Sequence, residues 1–225
     1  MKDISQYRQK FPQAFRLSWQ AVDELIWKVV AEMKAADYQP DVLIAVARGG
    51  LVTARILADY LQAKYVSSLQ MGHWDAQAEL HEEPMLVFPL PEIDLRGKRV
   101  LVIDDVSDEG RTLEQVRDYL AARGAEIRTF VLVSKVESRA LADYCPKVLD
   151  DWRWVLFPWS KHEDLLAFTE KVLQLTGGAT VEEIIRILES SMAVDIAISE
   201  IEKVLCDMQL AGEIAEEPGK VWKLI

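Results

Sequence analysis

The chain has 225 residues, half of them hydrophobic and 28% charged. That composition excludes a disordered or fibrous protein and suits one large domain with a small appendage. Its 37 acidic side chains outnumber the 26 basic ones, for a net charge of −11, so a phosphate backbone is repelled and the charge argues against nucleic acid as a partner.

Two cysteines, Cys145 and Cys206, are too isolated in sequence for a disulfide framework or a zinc site, and they read as buried structural thiols. The first sixteen residues lack the apolar centre of a signal peptide. No apolar run reaches the ~18 residues a membrane span needs, so no membrane partner is expected and cytoplasm is the expected location.

From Ser18 to Ala36, apolar residues Val22, Leu25, Ile26, Val29, Val30 and Met33 recur at helical spacing behind a Ser18 N-cap, which predicts a helix. After Pro40, Asp41 to Ala47 is a short continuous apolar run of the kind a strand buried on both faces shows. Arg48-Gly49-Gly50 turns the chain into a second helical pattern over Leu51 to Tyr60. Ser67 to Leu95, with Gly72, Pro84, Pro89 and Pro91, reads as a long excursion, a hairpin or a flap over a site. A second buried-strand run, Arg99 to Asp104, leads into an acidic glycine turn and a helix from about Thr112 to Arg123, which Gly124 stops. Ile127 to Val133 and Trp154 to Phe157 read as a third and fourth strand.

Strands alternating with helices predict an α/β fold, a mostly parallel sheet flanked by helices. Gly177-Gly178 marks the expected boundary between a domain over residues 1–175 and an appendage over residues 176–225. The appendage pattern is helix, helix and a hairpin around Pro218-Gly219, weakly resembling a winged helix. From Gly177 onward four basic face ten acidic side chains, a net −6. That charge favours a protein–protein or dimerisation role over DNA binding, and a homo-oligomer, a dimer, is the expected assembly.

The chemistry concentrates after the second buried strand. Asp104, Asp105, Asp108 and Glu109 crowd into six residues, and adjacent carboxylates repel unless a metal or a pair of hydroxyls binds them. Gly110 and Thr112 then offer a helix N-terminus and a hydroxyl to an anion, with Arg111 adding charge. A ligand carrying a vicinal diol close to a phosphate satisfies both halves. At the end of the neighbouring strand, Ala47, Arg48, Gly49 and Gly50 combine a guanidinium with glycines that let backbone N–H groups approach a second anion. Open α/β sheets bind ligands at such strand ends, where strand order reverses.

On these residues the chain resembles the type I phosphoribosyltransferases over roughly Asp41 to Leu165. The resemblance implies that Asp104 and Asp105 hold the ribose hydroxyls of phosphoribosyl pyrophosphate (PRPP) and, through PRPP and water, a Mg²⁺ ion. It implies a 5′-phosphate cradle at Asp108, Glu109, Gly110, Arg111 and Thr112, and a pyrophosphate loop at Ala47 to Gly50. Catalytic roles fall to Asp108, as proton acceptor, and to Arg48. Lys135, just past a strand, resembles the lysine that meets the purine 6-oxygen in the 6-oxopurine branch. The tryptophan-rich segment Asp151 to Trp159 resembles that branch's base-binding segment, with a stacking ring at Trp154 and a backbone contact at Val155. His73 and Trp74 are candidates to line the closed site. Glu109 departs from the family's small hydroxyl residue and brings a like charge near the phosphate, which Arg111 is placed to neutralise.

The implied activity is a purine phosphoribosyltransferase of purine salvage that transfers the phosphoribosyl group of PRPP to hypoxanthine, guanine or xanthine. A second class stays open at this point: a PRPP-sensing regulator without catalysis, acting through the appendage.

Overall fold

The computed structural model describes residues 5–74, 80–135 and 142–225. In chain order, a 3-10 turn at Ser5–Tyr7 precedes β1 (Ala14–Arg16), α1 (Trp19–Ala35), β2 (Val42–Ala47), α2 (Gly50–Leu61), β3 (Val66–Trp74) and β4 (Leu80–Phe88). There follow β5 (Arg99–Ser107), α3 (Arg111–Ala121), β6 (Glu126–Ser134), β7 (Lys147–Val148) and β8 (Trp154–Leu156). The chain ends with α4 (Lys161–Thr176), α5 (Val181–Met192), α6 (Ile198–Leu210), β9 (Ile214–Glu217) and β10 (Val221–Leu224). Residue contacts divide it into two compact units, Trp19–Trp152 and a second made of Met1–Ser18 with Arg153–Ile225.

The first unit is built on a six-stranded sheet in the order β4-β3-β2-β5-β6-β7. All neighbours run parallel except the β3–β4 hairpin. The continuous apolar runs of β2 and β5 follow from burial on both faces. Ile44, Val46, Val100, Val102 and Val131 pack with Leu113, Val116 and Leu120 of α3. The alternate residues Leu43, Ala45, Leu101 and Ile103 are equally buried. After β2 the chain adds β3 and β4 on one side, then returns to lay β5 on the other, so strand order reverses between β2 and β5.

Two features differ from the sequence reading, and in a third the excursion takes the hairpin form, one of its two expected alternatives. β5 continues past Asp104 to Ser107 because β6 runs beside it through Val106↔Val133 and Ser107↔Ser134, so Asp105 is a strand residue rather than a turn residue. The excursion from Ser67 holds a full sheet strand, β3, whose polar Ser67, Ser68 and Gln70 disguise it, and β4 completes a hairpin. Trp154–Leu156 does not join the large sheet; it pairs in parallel with Ala14–Arg16 in a two-stranded sheet of its own.

The second unit packs Phe11, Leu156, Leu165, Val172 and Leu173 with Ile184, Leu188, Ile201, Val204 and Leu205 in one core. The expected helix pair and hairpin are present as α5, α6 and β9–β10. Gly177 caps α4 at φ 67°, and Gly178, at φ 131°, lies against Lys223 and the Trp222 carbonyl. Ala179 and Trp222 exchange backbone hydrogen bonds of 3.1 and 2.9 Å. The Gly-Gly stretch is thus a packed turn, and the expected 175/176 boundary falls inside this unit. Both cysteines are free, but Cys145 is only half-buried and Cys206 is exposed, so neither is the buried thiol expected. Among the described residues no helix is long and apolar enough to cross a membrane.

Candidate active site

The reversal of strand order sets the loop after β2 beside the end of β5 and the start of α3. A cavity of about 230 Å³ opens there, lined by Ala47, Arg48, Gly49, Asp104, Asp105, Val106 and Thr112, with Met71 and Gly72 of β3. The pyrophosphate loop and the diol-and-phosphate loop inferred from sequence therefore meet in one concavity. A larger hollow of about 470 Å³ around Leu90–Arg96 and Arg123 is lined partly by an internally paired Asp94–Arg96 couple and takes none of these loop residues.

The glycines are dictated by how closely the two loops approach. A Cβ on Gly49 would lie 1.9 Å from Oδ2 of Asp105, and one on Gly50 would lie 2.3 Å from the carbonyl oxygen of Ile103. Gly50 is the first residue of α2 and is buried against β5. Gly110 stands before α3 at φ 88°, a conformation open to glycine at little cost. The first turn of α3 then carries N–H groups that a helix cannot satisfy internally, beside the half-buried Thr112. The Ala47–Arg48 peptide bond is cis.

The acidic residues divide by environment. Asp104 is half-buried, and its Oδ1 accepts the Asp105 N–H at 2.9 Å. Burial first, and the Asp105 charge second, push its carboxyl well above the ordinary carboxylate range. Such a pair wants a cation or hydroxyl donors. Asp108 projects from the residue after β5 and its carboxylate meets the ammonium of Lys135. Glu109 and Arg111 pair with each other at 2.7 Å on the exposed rim, so the like charge at position 109 has a countercharge at hand.

Lys135 follows β6, where its N–H donates to the Ser107 carbonyl at 2.9 Å, and its side chain is only 5% exposed. Its ammonium also lies 4.2 Å from the ring centre of Trp152, a residue the sequence reading passed over. The tract from Asp150 to Trp154 holds two tryptophans among charged residues, and spacing alone does not choose between them.

Of the base segment expected over Asp151 to Trp159, Asp151 and Trp152 end the first unit and the rest belongs to the second. There the Trp154 indole N–H donates to Asp164 at 3.1 Å and its ring meets Phe168 edge-on at 5.8 Å. Val155 is buried in β8 opposite Phe15. The side chains of His73 and Trp74 lie outside the described ones.

Residues 13–164 match the family described as Phosphoribosyl transferase domain. The chain belongs to the phosphoribosyltransferase family. This phosphoribosyltransferase is 29% identical over 161 residues to the xanthine-guanine phosphoribosyltransferase of Nitratidesulfovibrio vulgaris, covering 71% of this chain and 90% of that one. It is 27% identical over 151 residues to the enzyme of the same name from Chromohalobacter salexigens, covering 67% and 86%. Among solved structures, a purine phosphoribosyltransferase from Pyrococcus horikoshii superposes with a TM-score of 0.56 at 32% identity, covering 65% of this chain and 94% of that one. The family match takes in both loops of the cavity as well as Lys135 and Trp152, and ends in the first turn of α4.

Proposed function

We propose that this phosphoribosyltransferase transfers the phosphoribosyl group of PRPP to a 6-oxopurine base, releasing pyrophosphate. The observation that carries the reading is the Asp108–Lys135 ion pair, whose carboxylate stands in sequence between Val106 and Thr112 of the cavity lining. An ammonium is a donor only, so Lys135 suits a 6-oxo group and rejects a 6-amino group. Relatives named xanthine-guanine phosphoribosyltransferases support the same base class.

In this reading the C1–O bond to pyrophosphate breaks and a C1–N9 bond to the purine forms, through an oxocarbenium-like transition state. Arg48 and the amides of its loop take charge from the departing pyrophosphate. Asp104 and Asp105 hold the ribose hydroxyls, and Thr112 with the N-terminus of α3 holds the 5′-phosphate. Asp108 accepts the proton that the purine loses. Trp154 and Val155 carry stacking and backbone contact to the base on the strength of the family resemblance.

Magnesium fits this site in a limited way. The crowded Asp104–Asp105 pair calls for positive charge, yet among the described residues no group of three or more His, Cys, Asp or Glu side chains converges. The ion would take most of its oxygens from the pyrophosphate and water, as Mg²⁺ commonly does. When bound, it supplies charge neutralisation of the leaving group.

The test mixes protein, Mg²⁺ and PRPP with hypoxanthine, guanine, xanthine, adenine or uracil and follows pyrophosphate release. Turnover is expected with at least one 6-oxopurine and at most trace turnover with adenine or uracil. Silence with every base removes the enzyme reading and leaves the PRPP-binding regulator. Asp108→Asn is expected to lower kcat by about 10²-fold or more while KM for PRPP changes little; an equal loss in both removes the proton-transfer role.

A further inference from the structure

The proposed reaction gives roles to Asp108 and Lys135, but none to Trp152. This indole is 49% exposed. It lies with its ring centre 4.2 Å from Nζ of a lysine whose side chain is 5% exposed. The local fold explains how it gets there. β7 pairs with the end of β6, and the Leu149 N–H donates to the Ser134 carbonyl at 2.9 Å, one residue before Lys135. The chain is thereby pinned beside Lys135 just three residues before Trp152.

A nearly buried ammonium needs compensating negative potential. Its sources include the Asp108 carboxylate, itself 57% exposed, and the negative face of the Trp152 ring. If a 6-oxopurine takes a hydrogen bond from Lys135, and if Asp108 must accept the purine's proton, the ion pair between them has to open. A neutral carbonyl then replaces a full carboxylate as the partner of the ammonium. The indole face is a compensating element that the exchange leaves in place.

We propose that Trp152 is a positioning residue for base recognition, holding the Lys135 ammonium in the base pocket while Asp108 turns from pairing with lysine to proton transfer. This inference rests on the 6-oxopurine reading above and adds to it a specificity-determining side chain. It gives Trp152 a role through Lys135, without requiring the ring to touch the base.

The experiment measures initial rates with hypoxanthine varied at saturating PRPP, and with PRPP varied at saturating hypoxanthine. Trp152→Leu keeps an apolar side chain but removes the π face. It is expected to raise KM for the base about tenfold, with kcat and KM for PRPP within about twofold of wild type. Trp152→Phe, which keeps a π face, is expected to recover most of that loss. In a Lys135→Ala background, Trp152→Leu is expected to add nothing further, because the group it supports is gone.

An unmoved KM in Trp152→Leu overturns the proposal, as does the same rise in the presence and absence of Lys135. A Trp152→Phe variant as impaired as Trp152→Leu also overturns it, since packing rather than the π face would then be at work. Wild-type protein inactive with every 6-oxopurine refutes the underlying reading, and this proposal with it. Active wild type with an unresponsive Trp152→Leu refutes this proposal alone.

Discussion

Asp104 shows how a single residue can be wrong for the empty fold and right for the ligand. Its carboxyl, half-buried beside Asp105, has its pKa raised well above the ordinary range. A carboxyl with a raised folded-state pKa binds its proton more tightly in the native than in the unfolded chain. Stability therefore falls as pH rises from about 4 through the raised pKa, and the cost is complete above it. Asp104→Asn removes the cost by keeping the group neutral. The variant is expected to melt a few degrees higher than wild type at pH 8, and the gain should shrink toward pH 4. Its affinity for PRPP with Mg²⁺ should fall sharply, because an amide neither attracts the cation nor accepts hydrogen bonds as a carboxylate does. Thermal melts at several pH values, together with PRPP titrations, check both halves. A melting temperature lower than wild type at pH 8 would contradict the assigned strain.

At the scale of elements, the site depends on two strand–helix junctions pressed together. Gly49 and Gly50 meet different kinds of neighbour: the first a carboxylate side chain, the second a strand carbonyl. Alanine at Gly49 can be accommodated if Asp105 swings aside, so Gly49→Ala is expected to fold with a near-wild-type denaturation midpoint and weakened PRPP binding. Alanine at Gly50 must move the backbone of β5, and Gly50→Ala is expected to lose about 3 kcal/mol or more of stability. Urea titrations of the two variants make the comparison, and equal stability losses would mean that Asp105 cannot move.

The junctions were legible because their elements carry local signals: apolar runs for β2 and β5, helical periodicity for α2 and α3, and glycines between. The contact between Gly49 and Asp105 was not, since it joins residues 56 apart through sheet pairing. β1 escaped for a related reason. Three residues, Ala14–Arg16, form a strand only because Trp154–Leu156 lies beside them, and a segment that short has no periodicity of its own. Trp152 was hidden by its neighbours: in a tract with two tryptophans, only the pairing of β7 with β6 reveals which ring reaches Lys135.

At the scale of the whole chain, charge sets how an anionic substrate arrives. The unit Trp19–Trp152, which holds the cavity, carries 15 basic and 23 acidic side chains, a net −8 of the chain's −11. PRPP is itself a polyanion, so its approach is opposed at long range although Arg48 and the start of α3 favour it at contact. Salt screens the long-range repulsion over a Debye length of about 10 Å at 0.1 M, while a contact within the cavity is screened less. The ordinary expectation for an anion-binding enzyme, that kcat/KM for the anion falls with salt, should therefore reverse. Between about 0.02 and 0.15 M ionic strength, at constant free Mg²⁺, kcat/KM for PRPP is expected to rise by a few-fold, with kcat nearly constant. For the uncharged purine bases the same range should leave kcat/KM flat. A fall for PRPP would mean that Arg48 and its neighbours dominate the field at the mouth of the cavity, against the net charge of the unit that surrounds them.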